Sequence, residues 1–144
     1  MADYTIKNLK ALEDSAVAGG FSPQLEARFA KGPLECTQCG LSYQRLAPGF
    51  RGFGHSHHTQ EEVYVVLSGG GRVKLPDGVH ELRQWDAVRN ETNDTVRVLM
   101  FSNVIHPGAT VYPDSDKIGV WTGNKADDLL VRRASGVEYY DGEV

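Results

Sequence analysis

Hydrophobic and polar residues alternate over several short stretches of this chain, and an alternation with a period of two predicts half-buried β-strands. The clearest stretches are 25–29, 41–46, 62–68, 72–75, 79–83 and 95–101. Glycine and proline separate them, as in Gly69-Gly70-Gly71 and Pro76-Asp77-Gly78, which favours tight turns. Many short strands joined by turns predict an all-β fold, an antiparallel sandwich or barrel.

The two ends of the chain differ from this central part. Residues 7–17 are compatible with a short N-terminal helix that ends at Gly19-Gly20. The last forty or so residues are less regular and predict short strands at 118–121 and 129–132 within a C-terminal arm. We therefore expect a single domain over 1–144, with a barrel core at about 22–105 and an arm at about 106–144.

Composition and charge narrow the classes of partner. The chain of 144 residues is 40% hydrophobic and has a formal net charge of −4, which argues against nucleic acid or an anionic membrane as a partner. No apolar run approaches the ~18–20 residues of a membrane span. The first residues lack the apolar core of a signal peptide, so we expect a cytoplasmic location.

The strand predicted at 62–68 suggests that the chain associates with itself. Its two faces carry Tyr64 and Val66 on one side and Val63, Val65 and Leu67 on the other. Because both faces have apolar members, we expect both to be covered. A homodimer is a reasonable hypothesis for what covers the second face.

Cys36 and Cys39 form a lone C-x-x-C motif. A zinc site would need a second pair of ligands at ribbon or finger spacing. A thioredoxin-like site would need a βαβ context and the start of a helix, and the sequence predicts neither here. We interpret the two cysteines as small residues near a strand or turn.

His55, His57 and Glu62 are the candidate metal ligands. His55 and His57 are two residues apart, so in an extended segment they point to the same face, while His58 points away. A turn through 59–60 would return the chain so that Glu62 projects onto that face. Two imidazoles and one carboxylate suit Fe(II), Mn(II), Ni(II), Zn(II) or Cu(II) better than Ca(II) or Mg(II). The alternative is a surface loop with exposed histidines.

The same segment strongly resembles the first conserved motif of the cupin superfamily, G-x5-H-x-H-x(3,4)-E-x6-G. The match places Gly49, His55, His57, Glu62 and Gly69 at the motif positions. The resemblance implies a cupin-type antiparallel β-barrel, that is, a double-stranded β-helix or jelly roll. It also implies one divalent metal ion bound by the two histidines and the glutamate.

The second cupin motif, G-x5-P-x-G-x2-H-x3-N, is present only in part. Residues 82–88 are similar to its opening and 89–95 to its end, whereas the stretch with its proline turn and histidine is missing after Asp86. The metal could therefore have three ligands, His106 or His80 could complete the shell, or binding could be weak or absent. A missing strand would also leave room for a subunit partner or for the C-terminal arm.

These observations leave more than one function open. The first is a metal-binding cupin that acts on a small molecule, with dioxygenase-like and isomerase-like reactions among those that the family implies. The second is a non-catalytic cupin that binds a small ligand or serves as an accessory protein, with little or no metal. A third is an interaction module that uses the C-terminal arm. The sequence identifies no general base, so whether the chain is an enzyme stays open.

Overall fold

A computed structural model describes residues 4–75, 77–83 and 95–142. The chain divides into two compact units. The first unit contains Met1–Gly52 and Glu61–Val104, and the second unit contains Phe53–Gln60 and Ile105–Val144. Most of the partial second motif, including Asp86, lies outside the described residues.

Within the described ranges the chain forms ten strands, and every strand pair is antiparallel. In chain order the strands are β1 (Leu25–Phe29), β2 (Cys39–Leu46), β3 (Ser56–His57), β4 (Glu62–Ser68), β5 (Gly71–Leu75), β6 (Gly78–Leu82), β7 (Val96–Asn103), β8 (Gly108–Tyr112), β9 (Lys117–Trp121) and β10 (Leu129–Arg132). The predicted all-β class is confirmed.

The first unit contains a four-stranded sheet in the order β1-β2-β7-β4 and the hairpin β5-β6. Leu25 lies opposite Leu46 and Val66 lies opposite Val98 in the register of this sheet. Because directly opposed residues share a face, these side chains form one apolar surface. Val66 and Val98 are 0% and 1% exposed, so this surface contains the core of the unit.

The other face of this sheet is only partly covered. Leu41, Phe101 and Val63 lie opposite one another on β2, β7 and β4. Val63 is 59% exposed and Phe101 is 41% exposed. The sequence had led us to expect cover on both faces of β4, and within the described chain this apolar row stays open to solvent.

The predicted short N-terminal helix is confirmed, and a 3-10 helix precedes it. A 3-10 helix spans Leu9–Ala11 and the α-helix α1 spans Ser15–Ala18. The side chains of Asn8 and Asp14 each accept a hydrogen bond from a backbone N–H at the start of a helix. Each of these polar residues therefore marks the start of a helix.

Three cations surround the buried Glu26 on β1. Its carboxylate accepts hydrogen bonds from Lys10 Nζ at 2.5 Å, Arg28 Nε at 2.7 Å and Arg45 Nε at 3.1 Å. Burial alone would raise the pKa of Glu26, but these three cationic donors lower it to about 2. Glu26 is therefore ionised throughout the neutral range and ties the N-terminal segment to β1 and β2.

The second unit contains a four-stranded sheet in the order β10-β9-β8-β3. The short strands predicted at 118–121 and 129–132 are confirmed as parts of β9 and β10. The sequence Val111-Tyr112-Pro113-Asp114 predicts a strand end and a turn, which is only the end of β8. The polar stretch 50–58 predicts an extended segment, of which only Ser56–His57 forms a strand. Residues 108–132, which we had assigned to an arm, thus contribute three strands of a sheet. Whether 1–144 acts as one domain stays a prediction.

None of the helices found in the described ranges combines the length and the apolar character needed to cross a membrane.

Candidate metal centre

The two candidate histidines lie side by side at the start of the second unit. His57 belongs to β3 and lies opposite Thr110 of β8, while His55 immediately precedes the strand. Their ring centroids are 5.0 Å apart and the ring planes are perpendicular. The spacing of two residues thus brings both imidazoles together, as the extended pattern predicts.

The ring of His55 is held by its own backbone and by an aromatic neighbour. Its Nδ1 lies 3.0 Å from the carbonyl oxygen of Phe53. A carbonyl oxygen only accepts hydrogen bonds, so this contact requires the hydrogen on Nδ1, and in the neutral imidazole the lone pair is then on Nε2. Tyr112 stacks on the ring with centroids 5.8 Å apart and planes inclined by 29°.

The ring of His57 is fixed by a side chain of the neighbouring strand. Its Nδ1 lies 2.9 Å from Thr110 Oγ1. Thr110 is 1% exposed, and the other ring nitrogen, Nε2, is also buried. Nδ1 thus has a hydrogen-bond partner in both histidines, so a metal bound by either ring would be held at Nε2.

Glu62 begins β4 in the first unit and lies opposite Ser102 of β7. The hydroxyl of Tyr64, two residues along the same face, donates a hydrogen bond to the Glu62 carboxylate. Burial, together with this carboxylate, raises the pKa of Tyr64. Tyr64 therefore keeps its proton at neutral pH and acts as a hydrogen-bond donor to Glu62.

The residues of the described chain that could hold a metal ion are His55 and His57 of the second unit and Glu62 of the first. Within the second unit the two imidazoles lie side by side, and the ligand role of Glu62 is what the first motif implies. The part of the chain that the structure describes contains no other candidate group of three or more His, Cys, Asp or Glu residues.

His106 and His80, which we had considered as further ligands, are not members of this group. His106 Nδ1 lies 3.4 Å from the carbonyl oxygen of Trp121, and the ring packs against Gly123. His80 lies on the β5-β6 hairpin, where its Nε2 is 3.0 Å from the carboxylate of Asp77. The contact of His80 is local, whereas that of His106 joins residues fifteen positions apart.

Cys36 and Cys39 are free cysteines, and Cys39 begins β2. Burial and a hydrogen bond with the Cys39 thiol raise the pKa of Cys36. A reactive cysteine of the thioredoxin type has a lowered pKa instead. The structure thus agrees with our interpretation of these cysteines as small residues near a strand or turn.

Sequence reasoning missed Thr110, Trp121 and Tyr112 as neighbours of the histidines. All three are more than fifty positions from His57, and only the pairing of β3 with β8 and of β8 with β9 brings them near. The sequence offers one local indication, because Gly119 and Trp121 share one face of a predicted short strand. That indication points to Thr110 only once the pairing of β8 with β9 is known.

Neither a protein-family model nor a curated protein sequence matches this chain. The chain is similar in structure to a candidate sugar phosphate isomerase from Acidithiobacillus ferrooxidans, with 19% identity, a TM-score of 0.66 and coverage of 79% of this chain and 80% of that one. It is also similar to a sugar phosphate isomerase of a cupin superfamily from Silicibacter pomeroyi, with 18% identity, a TM-score of 0.68 and coverage of 82% of each chain.

Sequence identities this low carry information about the fold alone. The neighbour from S. pomeroyi bears the cupin name, and every strand pair described in this chain is antiparallel. Both findings agree with the motif at Gly49, His55, His57, Glu62 and Gly69. The chain therefore has the cupin-type fold that its first motif predicts.

Proposed function

We propose that this chain is a metal-binding cupin that holds one divalent transition-metal ion at His55, His57 and Glu62. The observation that carries the proposal is the pair of imidazoles, whose ring centroids are 5.0 Å apart and to which the first motif adds Glu62. It is supported by the hydrogen bonds that engage Nδ1 of both imidazoles, since these direct Nε2 to the ion. Two imidazoles and a carboxylate suit Fe(II), Mn(II), Ni(II), Zn(II) or Cu(II).

We propose further that the chain acts on a small molecule, and that isomerisation of a phosphorylated sugar is a better candidate than dioxygenation. The support is the activity named for both solved neighbours. Three protein ligands leave coordination positions open, where a bound ion polarises a hydroxyl or carbonyl oxygen of the substrate. Tyr64, whose pKa is raised, is unsuited to act as the base at neutral pH, so the general base is not assigned.

Metal analysis of untagged protein tests the site. We expect about one ion per chain in the wild type and a near-complete loss in His57→Ala, because two ligands rarely hold an ion that three hold. His80→Ala is the matched control, since it removes a histidine of the hairpin outside the cluster. Equal, near-zero metal in all three proteins would contradict the proposal.

A non-catalytic, ligand-binding cupin is the rival function, supported by the incomplete second motif. Thermal unfolding with a panel of sugar phosphates separates the two proposals. Metal-dependent binding predicts a rise in Tm that chelator abolishes, whereas the rival predicts a rise that persists in chelator. Turnover of any member of the panel that requires the added metal would exclude the rival.

We also propose that the chain forms a homodimer through the apolar row of Leu41, Phe101 and Val63. The support is the exposure of Val63 and Phe101, at 59% and 41%. Sedimentation should show a dimer that Val63→Glu weakens. Val79→Glu, at a valine of the hairpin that is 52% exposed, should leave the dimer intact. A monomer at every concentration would contradict this proposal. The cytoplasmic location and the absence of a nucleic-acid partner remain predictions.

A further inference from the structure

Three strands of the second unit place His57 and three other residues on one face of their sheet. His57 lies opposite Thr110 in the pairing of β3 with β8, and Thr110 lies opposite Gly119 in the pairing of β8 with β9. Trp121 is two residues beyond Gly119 and so belongs to the same face. His57, Thr110, Gly119 and Trp121 thus share one surface of this sheet.

Gly119 is the position that allows the Trp121 side chain to reach Thr110. A Cβ atom at Gly119 would lie 2.4 Å from Cζ2 of Trp121, a distance that real Cβ contacts do not reach. The indole ring therefore occupies the space above Gly119, where any other residue would place its side chain. From there Trp121 Nε1 reaches Thr110 Oγ1 at 2.7 Å.

The hydroxyl oxygen of Thr110 thus has two nitrogen neighbours. Trp121 Nε1–H can only donate, so it uses one of the two lone pairs of Oγ1. The second neighbour is Nδ1 of His57 at 2.9 Å. Since Thr110 is 1% exposed, water does not compete for these contacts, and the two partners hold the hydroxyl in one place.

We propose that Thr110, Trp121 and Gly119 are positioning residues for the metal centre, with His57 Nδ1–H donating to a threonine oxygen that Trp121 holds in place. This inference rests on the proposed function, because an ion at Nε2 requires the hydrogen on Nδ1. Different kinds of group would then fix the Nδ1 hydrogen of the two histidines. The backbone carbonyl of Phe53 fixes the hydrogen of His55, whereas side chains, which substitution can change, fix that of His57.

The tautomer of His57 in metal-free protein is the first test. Nitrogen NMR of the imidazole distinguishes a ring nitrogen that carries hydrogen from one with a lone pair. We expect the hydrogen on Nδ1 in the wild type and a mixture of tautomers in Thr110→Val, which loses the acceptor with little change in shape. A hydrogen on Nε2 in the metal-free wild type would overturn the inference.

Titration with Zn²⁺ alone is the second test. We expect Thr110→Val to weaken binding by about 10- to 100-fold, the usual effect of losing a partner of a ligating histidine, and Thr110→Ser to restore most of it. Gly119→Ala removes no polar atom but displaces the indole, so it should weaken binding in the same direction. Thr122→Val removes an exposed hydroxyl bonded to Asn124 and Asp128 and should leave the affinity unchanged.

The outcomes separate this inference from the function on which it rests. Wild-type affinity in both Thr110→Val and Gly119→Ala would overturn the positioning role. If the wild type binds no Zn²⁺ while its His57 carries hydrogen on Nδ1, the metal proposal fails, and what stands is that Thr110 fixes the tautomer of the His57 ring. If Thr110→Val does not fold, the positioning role is tested by the Zn²⁺ affinity of Gly119→Ala and by the His57 tautomer in the wild type.

Discussion

The two four-stranded sheets bury different kinds of side chain. In the first unit the most deeply buried side chains are Val66 and Val98, at 0% and 1% exposed, which lie opposite each other across β4 and β7. In the second unit the corresponding residue is Thr110, at 1% exposed, whose hydroxyl contacts two polar side chains.

This difference bears on how each sheet responds to substitution. Apolar burial is non-directional and roughly proportional to the area removed from water, so it stabilises without fixing an atom to a fraction of an ångström. Hydrogen bonds weaken steeply when their angle or length changes. We therefore expect substitutions in the first sheet to act mainly on stability, and substitutions around Thr110 to act mainly on metal affinity.

Glu26 is the charged residue among the buried side chains described in the first unit, and breaking its network should have the largest effect. Its side chain is 10% exposed and has three cationic partners. The pKa of Glu26 is about 2 in the folded protein against an ordinary value of 4.5. Its contribution is thus fully present above pH 4.5 and is lost as the pH falls towards 2, and we expect it to be about 2–3 kcal/mol.

Urea unfolding between pH 3 and 7 measures this contribution. Glu26→Gln should lower the free energy of unfolding at pH 7 by about 2–3 kcal/mol and flatten its decline below pH 4.5. Glu13→Gln, at an exposed glutamate of the same segment, should change neither. An unchanged acid slope in Glu26→Gln would show that the three cations do not stabilise the buried charge.

Val98→Ala tests the apolar side of the comparison. The substitution removes two buried methyl groups and leaves a small cavity, for which we expect a loss of about 2 kcal/mol in unfolding free energy. Zn²⁺ affinity should remain within about twofold, because distant, independent sites act additively. Val79→Ala, at a valine that is 52% exposed, controls for the change of side chain. A large loss of Zn²⁺ affinity in Val98→Ala would show that core packing also controls the metal site, and would contradict the comparison.

The sequence predicts most accurately those elements whose signal is local. Residues 25–29 and 62–68 form β1 and β4 with the predicted bounds, because alternation over five to seven residues is enough to indicate a strand. The predicted short N-terminal helix is confirmed, and Asp14 caps it as α1 with its side chain. Only the end of β8 is predicted, because the strand is short and begins at a glycine that follows Pro107.

The candidate site likewise has features that the local sequence predicts and features that it does not. The proximity of His55 and His57 follows from their spacing in the chain, and Glu62 follows from the motif. The roles of Thr110 and Trp121 depend on register between strands that are distant in the chain, which a single sequence does not encode locally. The two-residue period of a strand and the spacing of the motif therefore predict the ligands. The residues that orient those ligands are found only in the folded sheet.

Tyr64→Phe should have the smallest effect and is the sharpest test of the comparison, because Tyr64 takes part in both kinds of contact. Its ring packs against the apolar core of the first unit, while its hydroxyl donates to Glu62. Phenylalanine keeps the ring and removes the donor, so we expect a loss of about 1 kcal/mol or less in stability and a loss of severalfold, below tenfold, in Zn²⁺ affinity.

Because the pKa of Tyr64 is raised, the difference in affinity between Tyr64→Phe and the wild type should stay constant from pH 6 to 9. If Tyr64→Phe instead costs as much stability as Val98→Ala and leaves Zn²⁺ affinity unchanged, the hydroxyl belongs to the packing of the first sheet and does not orient Glu62.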